Sequence, residues 1–137
     1  MSIPNKYFGV LEKLKRKSER GEVNWKETGK ENTYIVSFDK FSIGISKSAS
    51  IENGWCVRFY ISDKSGRILE DYWAYKDPDE LIEGTAFSAF DYISEIFDLA
   101  RRKALRVDEA IKEINRELDK FGAIGTPPKK EEKDLPF

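Results

Sequence analysis

The chain has 137 residues, of which 39% are hydrophobic and 36% are charged, so its length and composition suit one domain with a hydrophobic core. The 24 basic and 25 acidic residues nearly cancel, so a site for a polyanion would need a local basic patch. No apolar run is long enough to span a bilayer, and the N-terminus lacks the apolar region of a secretory signal. These features predict a cytoplasmic protein that does not enter the membrane.

Two residue types are too rare to support common catalytic and metal sites. The chain has no histidine, which excludes Ser-His and Cys-His nucleophile systems and histidine-ligated metals. Cys56 is the single cysteine, so an internal disulfide and a cysteine-based zinc site are excluded as well. We therefore predict a non-enzymatic binding protein that uses no cofactor and no metal.

The N-terminal segment has the spacing of a helix. Tyr7, Leu11 and Leu14 recur at helical intervals and are predicted to face the core, with Val10 beside them. Gly21 is placed to end the helix, because glycine adopts a left-handed backbone without a steric cost.

Beyond this helix the apolar period changes to two, and turn residues divide the chain into short segments. Connections this short favour an antiparallel meander. Alternation in the fourth segment predicts that Val57 and Phe59 face the core, whereas Arg58 and Tyr60 face away from it. The predicted strands lie near 23–28, 33–38, 41–47, 55–62 and 67–75.

Helical spacing returns after Pro78 and Asp79, which are predicted to open a long helical region. Asp108 is the predicted N-cap of a last helix. The fold class is therefore predicted to be α+β, with an N-terminal helix, a meander of four to five antiparallel strands, and two C-terminal helices packed on one sheet face. We predict one domain over residues 1–121 and a disordered tail over 122–137.

The end of the sequence combines acidic residues with a proline and an aromatic residue. It reads Asp134, Leu135, Pro136 and Phe137. This tip resembles the acidic C-terminal tip of bacterial single-stranded DNA-binding proteins, which that family uses to recruit replication and repair proteins. The resemblance implies that these four residues dock on such partners. An apolar ring with a nearby carboxylate suits a pocket with a basic rim, and the proline lowers the ordering cost of binding.

The predicted folded domain, as distinct from the tail, contains aromatic residues next to cations. This combination binds single-stranded nucleic acid through base stacking and phosphate contacts. A plain structural role for the same residues stays open, because aromatic residues also favour strands for packing alone. If Arg58 and Tyr60 share the open side of the sheet, the aromatic residues beside them are either Tyr72 or the pair Trp73 and Tyr75. The candidate nucleic-acid-binding residues are Trp25, Lys26, Arg58, Tyr60, Tyr72, Trp73, Tyr75, Lys13, Arg16 and Lys17.

Two functions follow as the main hypotheses, and a small enzyme that uses carboxylates and tyrosines stays open as a third. The first is a non-enzymatic protein associated with single-stranded nucleic acid, DNA or RNA, whose tip docks on replication and repair proteins. The alternative is a protein-interaction or self-assembling adaptor with no nucleic-acid role. In that case Phe90, Ile93 and Phe97 would be partly exposed and would form a homodimer interface.

Overall fold

Five strands form one antiparallel sheet in which each strand pairs with the next in sequence, because short turns join all of them. The computed structural model describes residues 3–77 and 79–127. Within them the order is β1-β2-β3-β4-β5, as a meander requires, and the predicted α+β arrangement is confirmed. The strands are β1 Lys26–Glu27, β2 Thr33–Ser37, β3 Phe41–Ser50, β4 Gly54–Asp63 and β5 Ile68–Tyr75.

Two helices pack on one side of this sheet. A 3₁₀ turn leads into α1 (Phe8–Glu19), and α2 (Ala89–Ala104) follows the last strand. The apolar residues of both helices join the inward-facing strand residues in one core, in which Leu11, Phe59 and Ile93 are fully buried. We call this side of the sheet the covered face and the opposite side the open face.

The α1 helix ends at a glycine, as the sequence predicts. Gly21 has a φ of +72°, and the amide of Glu22 donates to the carbonyl of Lys17 over 2.9 Å. This geometry satisfies carbonyls that the end of the helix leaves free, and a left-handed φ of this kind favours glycine over residues with a Cβ.

The α2 helix begins later than predicted. Ser88 is its N-cap, and the Ser88 side chain accepts a hydrogen bond from the amide of Asp91 over 3.3 Å. The segment before it, which contains Gly84 at a φ of +78°, forms turns anchored by the fully buried Ile82. The left-handed glycine and the serine N-cap therefore set the start of the helix at Ala89. Pro78, at which we predicted the helical region to open, lies outside the described residues.

The chain divides into two compact units, Met1–Arg106 and Val107–Phe137. The second unit contains α3 (Val107–Leu118), in which no residue is buried. Residues 122–127, the described part of the predicted tail, contain no helix or strand. The predicted docking tip, Asp134 to Phe137, lies outside the described residues.

Within the described part of the chain, no helix has both the length and the apolar character needed to cross a membrane.

Candidate nucleic-acid interface

The open face carries a row of aromatic side chains beside a strand of small residues. The β3 strand contributes serines and one glycine to it, which leaves the neighbouring rings uncovered by side chains from that strand. On β4 and β5, Arg58 is in register with Trp73, and Cys56 is in register with Tyr75. Tyr60 lies two residues from Arg58 on the same face. We call Arg58, Tyr60, Trp73 and Tyr75 the aromatic platform.

Two rings of the platform are available to a ligand. Trp73 is 47% exposed and Tyr75 is 41% exposed. They are two residues apart on one strand, so both side chains leave the same face with their Cα atoms about 7 Å apart. Indole and phenol rings held this way on an open sheet face can each stack against a nucleobase, which is how sheet-based modules bind single strands.

Arg58 contacts two rings of the platform and forms an ion pair with a neighbouring carboxylate. Its guanidinium lies 4.4 Å from the ring centroid of Tyr60 and 5.1 Å from that of Trp73. Two of its N–H groups donate to the carboxylate of Asp71, over 2.7 Å from Nε and 2.8 Å from Nη2. This bond to Asp71 raises the pKa of Arg58 further, so the guanidinium stays charged at every pH of interest. We infer that Arg58 positions the rings of Tyr60 and Trp73, because Asp71 holds the Nε–Nη2 edge of its guanidinium in place.

Tyr60 can lie flat on the sheet only because a glycine is beneath it. Gly44 is in register with Tyr60, and a Cβ built on Gly44 would lie 1.9 Å from Cζ of the Tyr60 ring. Glycine within a strand often marks such a close approach. The phenol ring therefore occupies the space of the missing side chain and supports the stack formed by Arg58 and Trp73.

Substituting this glycine provides a test of the platform's geometry. Gly44→Ala should expel the Tyr60 ring, destabilise the protein by about 1–3 kcal/mol through overpacking, and weaken any ligand bound on the platform. Chemical denaturation measures the free energy of unfolding. In a protein that already carries Tyr60→Ala, Gly44→Ala should lower the free energy of unfolding by less, because the ring that it would clash with is absent. An equal loss of stability with and without Tyr60 would contradict the close approach of this ring to Gly44.

Comparisons of the chain with protein-family models, curated proteins and solved structures find no match.

Two of the predicted aromatic site residues do not belong to the platform. Trp25 is a core residue, 3% exposed, and its Nε1 donates to Oγ of Ser18 over 3.0 Å. Tyr72 is in register with Phe59 on the covered face, where its ring centroid lies 5.0 Å from that of Tyr7. The prediction that Trp25 and Tyr72 offer rings for base stacking is therefore corrected, because Trp25 is buried in the core and the register of β5 places Tyr72 on the covered face.

Tyr72 instead belongs to a small polar cluster at the edge of the covered face. Its hydroxyl donates to Oε2 of Glu70 over 3.2 Å. Hydrogen bonding with Tyr72 and Glu70, together with burial, raises the pKa of Tyr7 far above its usual value. The same contact with Tyr7 lowers the pKa of Glu70. The phenol of Tyr7 therefore stays neutral and the carboxylate of Glu70 stays charged, which is consistent with a structural role.

The predicted cations are divided between the two sides of the sheet. Lys26 is exposed on the open face, in the cross-strand row that contains Gly44 and Tyr60. Three strand spacings separate the backbones of Lys26 and Tyr60, which is roughly 14 Å between their Cα atoms. The predicted cations of α1 are on the helix that packs against the covered face, so the structure does not bring them to the platform. These cations are Lys13, Arg16 and Lys17, of which Arg16 pairs with Glu12 and Lys17 pairs with Glu22.

Two residues important to the platform were missed by the sequence prediction. Asp71 was not singled out, although an acid on β5 in the row next to Arg58 is the expected partner for a guanidinium. Gly44 also passed unnoticed, and its signal was present as a glycine in an otherwise alternating strand.

The α2 stripe proposed for self-assembly is part of the core. Phe90 and Phe97 are each 6% exposed and Ile93 is fully buried. The ring of Phe97 lies 5.5 Å from that of Tyr34, centroid to centroid. The predicted homodimer interface on α2 is therefore wrong, because these side chains already cover the sheet.

Proposed function

We propose that this is a non-enzymatic cytoplasmic protein that binds single-stranded nucleic acid on the aromatic platform. One observation carries the proposal: Trp73 and Tyr75 present half-exposed rings side by side on the open face, and the guanidinium of Arg58 supports the first of them. Exposed neighbouring rings of this size contribute little to folding. They are suited to stacking on a planar, sequence-independent partner such as a nucleobase.

The charges of the platform indicate how the binding energy would be divided. Asp71 neutralises Arg58, which leaves Lys26 as the remaining candidate cation that lies on the open face. Each phosphate neutralised on a single strand contributes about −0.7 to the slope of log K against log salt. We therefore expect stacking to supply most of the affinity and the slope to be shallow, near −1.

The test is fluorescence anisotropy of a labelled oligothymidine titrated with the protein at low and moderate salt. Binding with a shallow salt slope supports the proposal. Lys26→Ala should flatten that slope, whereas Lys13→Ala, which removes a cation on the other side of the sheet, should not change it. No binding at low salt would overturn the nucleic-acid function.

We also propose that the tip, Asp134 to Phe137, docks on replication and repair proteins. The support is the peptide's chemistry: two apolar side chains, Leu135 and Phe137, follow an acidic residue, so a partner with an apolar pocket and a basic rim would bind it. Pro136 restricts the backbone and lowers the ordering cost.

Removal of Phe137 tests this docking. We expect the truncated protein to keep its fold and its oligothymidine affinity while losing capture of partners that bind the tip of a single-stranded DNA-binding protein. Lys133→Ala, which leaves the four tip residues in place, is the matched control. Capture that survives removal of Phe137 would overturn the docking proposal.

A further inference from the structure

The β5 strand forms a long open edge of the sheet. It is hydrogen-bonded to β4 alone among the strands, and their register is continuous from Cys56 opposite Tyr75 to Ile61 opposite Glu70. The other edge of the sheet is β1, which has two residues and is too short to be a template for another strand. The 8 residues of β5 present a row of backbone groups that can accept one.

The hydrogen bonding of Lys76 identifies which backbone groups of this edge point outward. Its amide donates to the carbonyl of Trp55 on β4 over 3.2 Å. In an antiparallel ladder every second residue bonds to the same neighbouring strand, so the amides and carbonyls of Asp71, Trp73 and Tyr75 point away from β4. Within the part of the chain that the structure describes, these outward groups have no hydrogen-bond partner. A strand that pairs here would therefore bond to these three residues.

The charges on β5 and just after it fit a second, antiparallel copy of the same strand. When a two-fold axis passes through Trp73, Glu70 of each copy lies directly opposite Lys76 of the other copy. Lys76 is exposed and forms no ion pair within the described residues, and Glu70 is only half-buried, so both charges can be reached. Opposite charges directly across a strand pair stabilise it.

Neighbouring registers that keep the outward groups bonded are less favourable. An axis at Asp71 would set the Asp71 carboxylates of the two copies opposite each other, and an axis at Ala74 would set Asp71 opposite Asp77. Like charges in directly opposite positions are destabilising. An axis at Tyr72 brings no opposite charges together within the strand. The axis at Trp73 avoids the repulsion and gains the ion pairs.

We propose that β5 is a self-association edge, at which two copies of this chain pair β5 with β5 in antiparallel orientation about Trp73. The two five-stranded sheets then become one continuous sheet. The two Trp73 residues lie side by side on its open face, with their Cα atoms about 5.5 Å apart, so the aromatic platforms of both copies are joined. One strand pair buries less area than a standard interface, so the dimer is reversible and depends on concentration. This inference does not depend on nucleic-acid binding.

Sedimentation equilibrium of the full chain tests the association with two substitutions at one position. The wild-type protein should change from monomer to dimer as its concentration rises toward roughly 1 mM, the weak end of specific contacts. Tyr75→Pro removes an outward amide and no bond to β4, so it should stay folded and monomeric. Tyr75→Ala removes the same ring, keeps the amide, and should still dimerise. A wild-type protein that stays monomeric throughout, or two variants that behave alike, would overturn the proposal.

Disulfide trapping keeps the test decisive if Tyr75→Pro disrupts the strand. Under mild oxidation Trp73→Cys should form a covalent dimer, because the axis brings the two introduced thiols within disulfide range. Tyr75→Cys is the control, since its thiols would lie four residues apart along the paired strands, roughly 13 Å. The native Cys56 is buried and should not react. Absence of a covalent dimer in Trp73→Cys, or equal cross-linking of both variants, would contradict the proposed pairing.

Discussion

Replacing Trp25 by alanine should lower the free energy of unfolding by about 3–5 kcal/mol and should leave nucleic-acid affinity of the folded protein unchanged. The indole is 3% exposed within the core, so its removal leaves a cavity. It also leaves the buried hydroxyl of Ser18 without the indole donor that now lies 3.0 Å away. Chemical denaturation measures the loss, and anisotropy with oligothymidine measures the affinity under conditions in which the variant is folded.

Trp25→Phe separates the two contributions. It keeps most of the apolar surface and loses the hydrogen bond to Ser18, so it should cost clearly less than Trp25→Ala. If Trp25→Ala left the free energy of unfolding unchanged and weakened oligothymidine binding, Trp25 would belong to the binding surface, and its buried position in the structure would be contradicted.

The opposite pattern is expected on the open face. Trp73→Ala should weaken oligothymidine binding by roughly 5- to 140-fold, which corresponds to about 1–3 kcal/mol of lost stacking. Its effect on stability should stay near 1 kcal/mol, because the ring is half-exposed and the principal contact it loses is the one with Arg58. Titration of the labelled strand against each protein gives the ratio of dissociation constants.

Trp55→Ala is the matched control for this measurement. Trp55 has nearly the same exposure, 49%, and also has a cation nearby, with Nζ of Lys47 5.6 Å from its ring. Its position on β4 has the parity of Val57 and Phe59, so it belongs to the covered side of the sheet. If Trp55→Ala weakened binding as strongly as Trp73→Ala, the location of the site on the open face would be contradicted.

The faces of β4 could be predicted from the sequence because large apolar residues recur at every second position from Trp55 to Ile61. Phe59 and Val57 are fully buried, while Arg58 and Tyr60 lie on the other side, as the alternation predicts. The choice between Tyr72 and the pair Trp73 and Tyr75 stayed open because it depends on register, and one slipped residue would invert it. The pairing of Arg58 with Trp73 selects the pair.

Trp25 could not be assigned in the same way. It precedes β1, which has only two residues, and so short a segment gives no alternation from which to predict its face. Its neighbour Lys26 is on the open face, whereas the indole of Trp25 is buried in the core, so the two do not share one binding surface.

The two C-terminal helices show why a stripe does not by itself predict burial. Phe90, Ile93 and Phe97 on α2, like Ile111 and Ile114 on α3, recur at helical spacing. The first group is in the core and the second is exposed. Periodicity identifies the apolar face of a helix, and the element that covers that face is decided by tertiary packing.

The three tryptophans allow the central claim to be tested in one experiment, because Trp25 is in the core, Trp55 is on the covered side and Trp73 is on the open face. Unlabelled oligothymidine is titrated into Trp→Phe variants at each position while tryptophan emission is recorded. Phenylalanine still stacks on a base but does not contribute this emission. We predict that the wild-type protein, Trp25→Phe and Trp55→Phe are all quenched on binding, and that Trp73→Phe binds with similar affinity but without the quenching. Quenching that persists in Trp73→Phe, or no change in emission in any of the proteins, would contradict stacking on the aromatic platform.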